Sequence, residues 1–379
     1  MTIKQDLITY GRSLGFERVG ITSAAPLERD EAFLKQWITE GRAGEMSYLE
    51  REPERRSRPG ELLPGAKSVI SLAMTYDAEG KRDGGKEGKT KGNLVPDARQ
   101  SSRTLAPSLV PSPEGRIARY AYGGDYHKVI QKRLDSFVRY LESMAPGADC
   151  RTFVDTGPLL ERALAQRSGL GFIGKNTMLI TKGLGSWVFL ANVITTLELP
   201  IDAPDDRSCG ECHLCIDACP TEAITAPFAL DPRRCIAYLT IEKDGSIDPE
   251  LRAETGAWIF GCDICQEVCP HNLPNRNFQQ KPGGTLMLEN ILSITTEAEF
   301  SDKFTGTSVM RAGRDSFVRN ACVAAANLGR TDLSGRLQAL AKNDSSPIVR
   351  EHAAWALETL RAGHASSVPP ASIPNPAQS

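Results

Sequence analysis

Apolar residues recur with two different spacings along the first half of the chain, and each spacing predicts a different kind of element. Stripes at helical spacing, the first of which includes Leu7 and Leu14, predict amphipathic helices. These helices are expected over residues 2–18, 27–40 and 126–144. A continuous apolar run over 67–75 predicts a buried strand, and residues 19–21 predict a shorter one.

Residues 152–162 have the pattern of a strand, a turn and a helix. Asp155 follows the strand, at the end where open α/β sheets place their ligands. A carboxylate just before a helix is also a common N-cap, so both roles stay open. His127 lies beside Asp125 at the start of the third helix. The residues alone fit a cleft-lining role and a capping or surface role equally well.

Residues 169–175 are rich in glycine without forming a nucleotide-binding motif. They follow a helix, whereas a dinucleotide-binding loop follows a strand. Lys175 is not followed directly by Ser or Thr, which excludes a phosphate-binding loop. Beyond them, residues 178–180 and 187–195 are predicted to be a pair of strands around the turn 182–186.

Two stretches depart from the pattern of a single folded domain. Residues 77–115 are polar and have no hydrophobic period, which predicts a mobile insertion. In the last hundred residues, Val318-Arg319 and Val349-Arg350 each begin an alanine-rich helix, which predicts a short helical repeat of the HEAT type. Such repeats usually form a binding surface, and the tail over 364–379 is expected to be disordered.

Length, charge and the first residues limit the possible classes of protein. A chain of 379 residues is expected to hold two or three domains. The net charge of −2 neither requires nor excludes nucleic acid, so a polyanion would need a local basic patch. Because the chain begins without a signal peptide and has no apolar stretch of membrane-spanning length, a cytoplasmic location is expected.

The strongest chemical signal is a group of eight cysteines between positions 209 and 269. The first run has the spacing C-x₂-C-x₂-C-x₃-C-P of bacterial two-cluster ferredoxins, in which the last cysteine binds the other cluster. The second run contains only three cysteines, and Cys235 is the natural replacement for the fourth. The pattern predicts two 4Fe–4S clusters, one bound by Cys209, Cys212, Cys215 and Cys269 and the other by Cys219, Cys235, Cys262 and Cys265.

Two other uses of these cysteines fit the spacing less well. Structural zinc sites usually combine pairs of C-x₂-C without a trailing Cys-Pro. Disulfide frameworks are typical of small secreted chains. The two remaining cysteines, Cys150 and Cys322, are predicted to be small buried apolar residues.

Paired clusters transfer single electrons, so the domain ahead of them is expected to hold an electron acceptor. The residues alone therefore suggest a reductase in which the clusters feed a second cofactor, without identifying that cofactor. A simple electron carrier is the non-enzymatic alternative, but it would not need the preceding domain of about 200 residues with Asp155 at a strand end.

Short motifs outside the cysteine runs are spread over nearly the whole chain. They are Gly44-Glu-Met46, Leu63-Pro-Gly65, Arg119-Tyr120, Asp125-Tyr-His-Lys128, Val154-Asp155, Leu160-Glu-Arg162, Gly169-Leu-Gly171, Gly174-Lys175, Arg234-Cys235, Tyr238-Leu-Thr-Ile-Glu242 and Gly261-Cys-Asp-Ile-Cys265. Together with the eight cysteines and the terminal repeat, they resemble the epoxyqueuosine reductases, cobalamin-dependent enzymes of tRNA modification. The segment 77–115 is longer and more polar than this family's pattern, which affects local loop contacts rather than the chemistry.

The resemblance implies reduction of the epoxide of epoxyqueuosine, at the wobble position of tRNA, to queuosine. It implies cobalamin and two 4Fe–4S clusters as cofactors, with the clusters reducing cobalt to the nucleophilic Co(I) state. Asp155 matches the family's proton donor. Since an acid must hold its proton near neutral pH, its surroundings are expected to be apolar or partly desolvated.

The resemblance also implies contacts for the cofactor and the RNA. The cofactor contacts are Arg51, Asp155, Lys175, Asn176, Leu179, Ser186, Asp263 and Ile264, the last two lying between cluster ligands. The candidates for tRNA phosphates are Arg319, Arg350 and the group Arg55, Arg56 and Arg58. Each of these arginines could equally be an ordinary surface residue.

The expected fold class is α+β, in three functional parts and a tail. They are an N-terminal α/β cobalamin-binding sheet domain (1–204), a ferredoxin-like two-cluster module (205–275), a C-terminal α-helical HEAT-like repeat (276–363) and the tail 364–379. The expected partners are tRNA and an external low-potential electron donor, and the expected state is a monomer. A corrinoid reductase of a small molecule, such as a reductive dehalogenase, is the main enzymatic alternative; such enzymes typically have export signals and lack the repeat.

Overall fold

The computed structural model describes residues 2–76, 114–272 and 285–363 of the chain. The insertion predicted over 77–115 therefore lies almost wholly outside the described residues, and so does the tail predicted over 364–379. Among the helices that are described, none is long and apolar enough to cross a membrane.

Helices and short strands alternate through the first two described stretches, up to residue 195. The helices are α1 (Ile3–Ser13), α2 (Glu28–Thr39), α3 (Pro53–Ser57), α4 (Pro59–Leu62), α5 (Tyr126–Met144) and α6 (Glu161–Arg167). The strands are β1 (Arg18–Ser23), β2 (Ser68–Thr75), β3 (Glu114–Ile117), β4 (Cys150–Phe153), β5 (Gly171–Ile173), β6 (Leu179–Thr181) and β7 (Val188–Thr195). The three predicted helices are present, and the predicted buried strand is β2.

Helix α5 shows why the hydrophobic pattern is a good guide to local structure here. Its buried residues Ile130, Leu134, Phe137 and Leu141 recur at helical spacing and therefore lie on one face. Asp125 caps the helix by accepting a hydrogen bond from the amide of residue 127. The local sequence thus determines both the start of the helix and the face that it buries.

The main sheet has four strands in the order β1-β2-β7-β4, and every neighbouring pair is antiparallel. Ile70 and Leu72 of β2 pack with α1 and α5 on one face, while Val69 packs with Leu164 of α6 on the other. The predicted α/β class, with Asp155 at the end where open α/β sheets place their ligands, does not describe this antiparallel sheet. A strand that is buried on both faces is apolar in either direction, so the sequence of β2 did not reveal how it pairs.

The predicted strands 178–180 and 187–195 exist, but they do not pair with each other. Strand β6 pairs with β5, whereas β7 pairs with β2 and β4. Between them, Gly183 and Gly185 adopt positive φ angles of 75° and 69° and turn the chain sharply. The amide of Ser186 then donates to the side-chain oxygen of Asn272 at 2.7 Å, which directs the chain away from β6.

The cysteine-rich segment consists of short elements between ligand loops. Its helices are α7 (Leu214–Asp217), α8 (Ile236–Ile241), α9 (Pro249–Arg252) and α10 (Ile264–Glu267), and its strands are β8 (Ile224–Ala226), β9 (Ala229–Leu230) and β10 (Trp258–Phe260). Strand β10 does not stay within this segment. It pairs in parallel with β3, which in turn pairs antiparallel with β11 (Thr285–Met287). A single three-stranded sheet therefore joins parts of all three predicted domains.

The C-terminal stretch is helical after β11. Its helices are α11 (Leu288–Leu292), α12 (Glu297–Phe304), α13 (Gly313–Asn327), α14 (Ser334–Asn343) and α15 (Pro347–Arg361). Helix α13 is buried along almost its whole length, and its alanines allow α15 to pack closely against it. Cys322 is fully buried as predicted, whereas Cys150 is only half-buried.

The structure contradicts the prediction for one site residue, Arg319. It was a candidate for a tRNA phosphate, but its side chain is fully buried in α13. Its guanidinium donates to the carbonyl oxygens of Leu239, Lys243 and Gly245, and to the side chain of Asn320. Burial lowers its pKa to about 10, which leaves it charged at neutral pH. Arg319 thus holds the loop after α8 against α13.

Replacing Arg319 tests this structural role. Arg319→Met leaves three carbonyl oxygens without this donor, one in a buried and two in partly buried positions, and an unpaired buried acceptor costs about 1–3 kcal/mol. We expect the free energy of unfolding to fall by about 3 kcal/mol or more, as measured by chemical denaturation. The control Arg336→Met removes an exposed arginine of α14 and should leave stability unchanged. A stable Arg319→Met protein with weakened RNA binding would instead support the original prediction.

Candidate active site

The first predicted ligand group converges in the structure. Cys209, Cys212, Cys215 and Cys269 line one small cavity, together with Lys175, Asn176, Ile180, Pro270 and His271. Burial, together with the neighbouring Cys209, Cys269 and Cys212, raises the pKa of Cys215 to about 11. Four thiols around one cavity are the donor set that a cubane cluster requires.

The second group forms around Cys262 and Cys265. Burial raises the pKa of both, and the largest electrostatic contribution to each comes from Cys235. Cys265 also interacts with Cys219, and with Cys215 of the first group. The chain therefore brings together the two predicted sets of four, and it holds them next to each other.

Backbone donors surround these sulfurs. The amide of Lys175 donates to Cys209 Sγ at 3.4 Å, and the amides of Ala237 and Tyr238 donate to the Cys235 sulfur. Such hydrogen bonds stabilise thiolates and tune the reduction potential of a cluster that they hold. Cys235 precedes α8, so the start of that helix supplies its donors.

Asp155 lies two residues beyond β4 in a strained backbone conformation, with φ of 55°. Its Oδ2 accepts a hydrogen bond from the Tyr126 hydroxyl at 2.7 Å and lies 3.3 Å from His127 Nε2. Its amide donates to both carboxyl oxygens of Glu161, each at 3.2 Å. Because α6 begins after Leu160, Asp155 is not its N-cap, and the capping alternative is excluded.

The hydrogen bonds of Asp155 continue to a second carboxylate. His127 Nδ1 lies 2.8 Å from Asp125 Oδ1, so the imidazole bridges Asp125 and Asp155. The hydrogen bond to Asp155 has the largest effect on the pKa of His127 and raises it, and the hydrogen bond to Asp125 raises it as well. The histidine is therefore a cleft residue, positioned to hold a proton next to Asp155.

Two opposing effects act on the pKa of Asp155, whose surroundings were expected to be apolar or partly desolvated. The hydrogen bond from His127 lowers its pKa, against the opposing effect of burial, and Tyr126 lowers it further. Its side chain keeps 63% of its surface accessible, so it is not enclosed by apolar groups. A proton on Asp155 at neutral pH must therefore be shared with its neighbours rather than be retained by desolvation.

Aromatic rings line the cleft beside Asp155. Tyr126 stacks on Phe189 with ring centroids 4.2 Å apart, and Tyr120 meets Tyr126 edge-on at 6.1 Å. Burial raises the pKa of Tyr76 and of Tyr120, and the charges of both Asp155 and Asp263 add to the effect. Tyr76 and Tyr120 are thus electrostatically coupled both to Asp155 and to Asp263, which lies between Cys262 and Cys265 in the sequence.

Two charged residues of this cleft were not singled out from the sequence. Burial, together with the charge of Asp155, raises the pKa of Glu161 to about 8. Arg162 donates to the carbonyl of Thr177, and burial lowers its pKa although its surface is accessible. Only the motif Leu160-Glu-Arg162 indicated them, because their role depends on the position of α6 against β7.

Among the predicted cofactor contacts, Asn176 and Lys175 bond to the backbone of the cysteine loops, whereas Leu179 and Ser186 are enclosed. Asn176 is buried and donates to the carbonyl of Cys265, and Lys175 Nζ donates to the carbonyl of Gly210 at 2.7 Å. Leu179 and Ser186 are only 2% and 1% exposed, and β6 and Asn272 enclose their side chains. Their assignment to the wall of the cofactor site stays a prediction.

Three further predicted contacts differ in exposure. Asp263 is buried, accepts the amide of Arg119 at 2.7 Å, and has its pKa raised by burial to about 7. Ile264 is buried beside Cys262. Arg51 is exposed.

The arginines predicted to contact RNA fall into two groups, those paired with carboxylates and those bonded to backbone carbonyls. Arg58 pairs with Glu31 and Glu61, and Arg55 pairs with Glu52, so both charges are balanced locally. Arg56 donates to the carbonyl of Tyr48, and Arg350 donates to the carbonyls of Asp344 and Ser345. Of the predicted arginines, Arg56 and Arg350 are thus partly accessible and contact backbone carbonyls.

Cys235 is the least obvious of the predicted ligands and gives the sharpest test of the thiol groups. In Cys235→Ala we expect about half the iron of the wild-type protein after anaerobic reconstitution, because one set of four loses a member. Iron analysis and electron paramagnetic resonance of the reduced protein measure this. Cys150→Ala, at a thiol outside the two groups, is the control and should keep its iron. Full iron content and two cluster signals in Cys235→Ala would remove this residue from the ligand set.

Two family models match the chain. Residues 208–272 match the 4Fe-4S double cluster binding domain, which spans the two thiol groups. Residues 56–156 match the model of epoxyqueuosine reductase QueG, DUF1730, which ends just past Asp155. The two models therefore cover the thiol groups and the segment that leads to Asp155.

Curated relatives match over nearly the full length. The epoxyqueuosine reductase of Xanthomonas campestris is 40% identical over 358 residues, covering 92% of this chain and 94% of the relative. That of Escherichia coli is 35% identical over 361 residues, covering 94% of this chain and 89% of the relative.

Solved structures agree with this relationship. One of epoxyqueuosine reductase with an epoxyqueuosine-modified tRNA stem loop has a TM-score of 0.80 at 32% identity and covers 94% of this chain and 90% of that chain. The structure of the enzyme from Streptococcus thermophilus has the same TM-score at 29% identity, covering 96% and 91%. The thiol groups, the Asp155 cleft and these full-length relationships lead to one conclusion: the chain belongs to the epoxyqueuosine reductases, a family of iron–sulfur oxidoreductases.

Proposed function

We propose that this protein reduces the epoxide of epoxyqueuosine, at the wobble position of tRNA, to the alkene of queuosine. In the balanced reaction both carbon–oxygen bonds of the epoxide break, and two electrons and two protons convert the oxygen to water. The observation that carries the proposal is the tyrosine-lined cleft, with the Asp155 hydrogen-bond chain on one side and the thiol groups on the other. One side can supply protons and the other electrons.

We propose cobalamin as the group held in this cleft. The walls fit a large ring system, because they offer the stacked aromatic surface of Tyr126 and Phe189, and the buried Arg119 Nε has no hydrogen-bond partner among the described residues. Asp263 and Ile264 adjoin the second thiol group, and Arg51 is an accessible candidate for a peripheral amide or phosphate. When bound, cobalamin supplies a metal centre that can take electrons from the clusters and react with an epoxide carbon.

The protein's own residues manage the protons. Opening of the epoxide produces an alkoxide, and Asp155 is the accessible acid that can protonate it. His127, hydrogen-bonded between Asp125 and Asp155, replaces the proton that Asp155 gives up. The Tyr126 hydroxyl and the two bonds from the Asp155 amide to Glu161 hold the carboxyl group in position.

We propose a division of labour along the chain. Residues 1–204 bind cobalamin and the modified base, 205–275 hold the two clusters, and 276–363 form a HEAT-like repeat that meets the anticodon arm. Arg350, on the last described helix, is the arginine of this part that we retain as a phosphate contact. We further propose that the protein acts as a monomer in the cytoplasm and receives its electrons from an external low-potential donor.

A small-molecule corrinoid reductase is the weaker alternative. The full-length relationship to epoxyqueuosine reductases, including one solved with a modified stem loop, favours an RNA substrate. In addition, an RNA substrate is large enough to contact helices α13 to α15, whereas a small molecule bound near Asp155 would leave them without a part in binding.

An anaerobic assay tests the proposed function. Protein with reconstituted clusters, cobalamin and a strong reductant is mixed with a stem loop carrying epoxyqueuosine, and the nucleosides are analysed by mass spectrometry. We expect loss of one oxygen mass. In Asp155→Asn the clusters and cobalamin should remain bound while turnover falls about 10²–10⁴-fold. Asp149→Asn, at the other end of β4, is the matched control and should be fully active. Absence of conversion by the loaded wild-type enzyme would reject the proposal.

The hydrogen-bond chain predicts a pH dependence. Because the pKa of His127 is raised above its usual value of about 6.5, turnover should be constant while His127 is protonated and fall as the pH rises through that raised pKa. Asp125→Asn keeps the helix cap but removes one carboxylate, so the fall should begin at lower pH. Single-turnover rates across pH measure both profiles. Identical profiles in wild type and Asp125→Asn would exclude His127 as the proton source.

A further inference from the structure

Tyr48 is an exposed aromatic residue held between two cations. It lies in a short 3₁₀ turn, Ser47–Leu49, and 39% of its surface is accessible. The guanidinium carbons of Arg311 and Arg56 lie 5.6 Å and 5.9 Å from the centre of its ring. Both distances are within the range of a cation–π interaction.

Hydrogen bonds fix both cations. Arg56 Nη2 donates to the carbonyl of Tyr48 itself at 2.6 Å. Arg311 is held by two hydrogen bonds to the Glu242 carboxylate, at 2.6 Å and 2.8 Å. The ring and its two flanking cations therefore form a rigid surface, which a ligand can use at low entropic cost.

This surface adjoins the Asp155 cleft. The amide of Leu160, in the loop after Asp155, donates to the carbonyl of Arg56 at 3.0 Å. Burial raises the pKa of Tyr48, and the charges of Glu242 and Asp155 raise it further, so the ring lies within electrostatic reach of both carboxylates. Arg311 belongs to the 3₁₀ turn Ser308–Ala312, which leads directly into α13. Tyr48 thus lies where the cleft meets the C-terminal helices.

We propose that Tyr48, flanked by Arg56 and Arg311, is a stacking platform for an unpaired base next to the modified nucleotide. The proposal rests on the proposed function, in which a wobble base must leave the stack of its loop to reach Asp155. That movement exposes the face of a neighbouring base. Aromatic rings and guanidinium planes are the surfaces on which proteins stack unpaired RNA bases, and the cations also attract the linking phosphate.

Two properties of the site favour a nucleotide over an apolar partner. Arg56 contacts a backbone carbonyl and a ring rather than a carboxylate in its described contacts, so its charge is available to a phosphate. Arg311 keeps 51% of its side-chain surface accessible despite its bond to Glu242. An apolar partner would have to desolvate both guanidiniums without compensating them.

Binding and turnover of three variants test the platform. The probes are synthetic anticodon stem loops carrying epoxyqueuosine or guanosine, used in fluorescence anisotropy, and the first is also the substrate. In Tyr48→Ala we expect Kd and KM to rise about 5- to 150-fold, with kcat at saturating substrate unchanged. Tyr48→Leu, which keeps apolar volume without the ring, should behave like Tyr48→Ala. Tyr48→Phe should bind like wild type.

Phe33→Ala is the matched control, because Phe33 is another exposed aromatic residue, on α2. It should leave Kd, KM and kcat unchanged. Thermal melting of each variant shows that the fold is intact. A Tyr48→Ala enzyme with unchanged Kd and KM, or one that loses kcat alone, would overturn the platform. So would equal weakening in Tyr48→Phe, which would assign the effect to the hydroxyl. Failure of wild type to convert the modified stem loop is a separate result that rejects the proposed function.

Discussion

The three-stranded sheet β10-β3-β11 is the contact on which the geometry of the site depends. Its backbone hydrogen bonds continue past β3, where the amide of Ala118 donates to Phe260 and that of Arg119 donates to the Asp263 carboxylate. Asn320 of α13 ties the same region to the C-terminal helices by donating to the carbonyls of Ile259 and Thr240, each at 2.9 Å. Since each of these buried acceptors would cost about 1–3 kcal/mol if left unpaired, the cleft wall, the thiol loops and the helices are held in one arrangement.

Within that arrangement, the pKa values of neighbouring ionisable groups are shifted in opposite directions. His127 lowers the pKa of Asp155 and has its own pKa raised in return, while burial raises that of Glu161 to about 8. Environments that separate the pKa values of adjacent groups divide their roles as acid and base. In the proposed mechanism the accessible carboxyl of Asp155 serves as the acid and the imidazole supplies its proton, while Glu161 accepts the hydrogen bonds of the Asp155 amide.

Predictions that depend on neighbours in sequence agree with the structure better than predictions that depend on contacts between distant segments. The bounds of α5 depend on residues close in sequence, and the structure agrees with that prediction, whereas the division of the eight cysteines into two ligand sets stays a prediction. Arg319 was assigned to a surface that its side chain does not reach, since its burial depends on segments far along the chain. Tyr48 and Glu161 drew no attention as site residues, because an isolated tyrosine or glutamate has no pattern of its own.

The sequence by itself therefore determined the elements and the cluster chemistry, because helical periodicity, capping and C-x₂-C spacing are local properties of the chain. It did not determine the antiparallel order β1-β2-β7-β4, since a strand buried on both faces has the same apolar composition whichever way its neighbours run. Only the tertiary structure brought Asp125, His127 and Asp155 into one hydrogen-bonded chain. The physical reason is that pKa values, burial and ion pairs arise from atoms close in space, and for these residues the neighbours come from α5 and the end of β4.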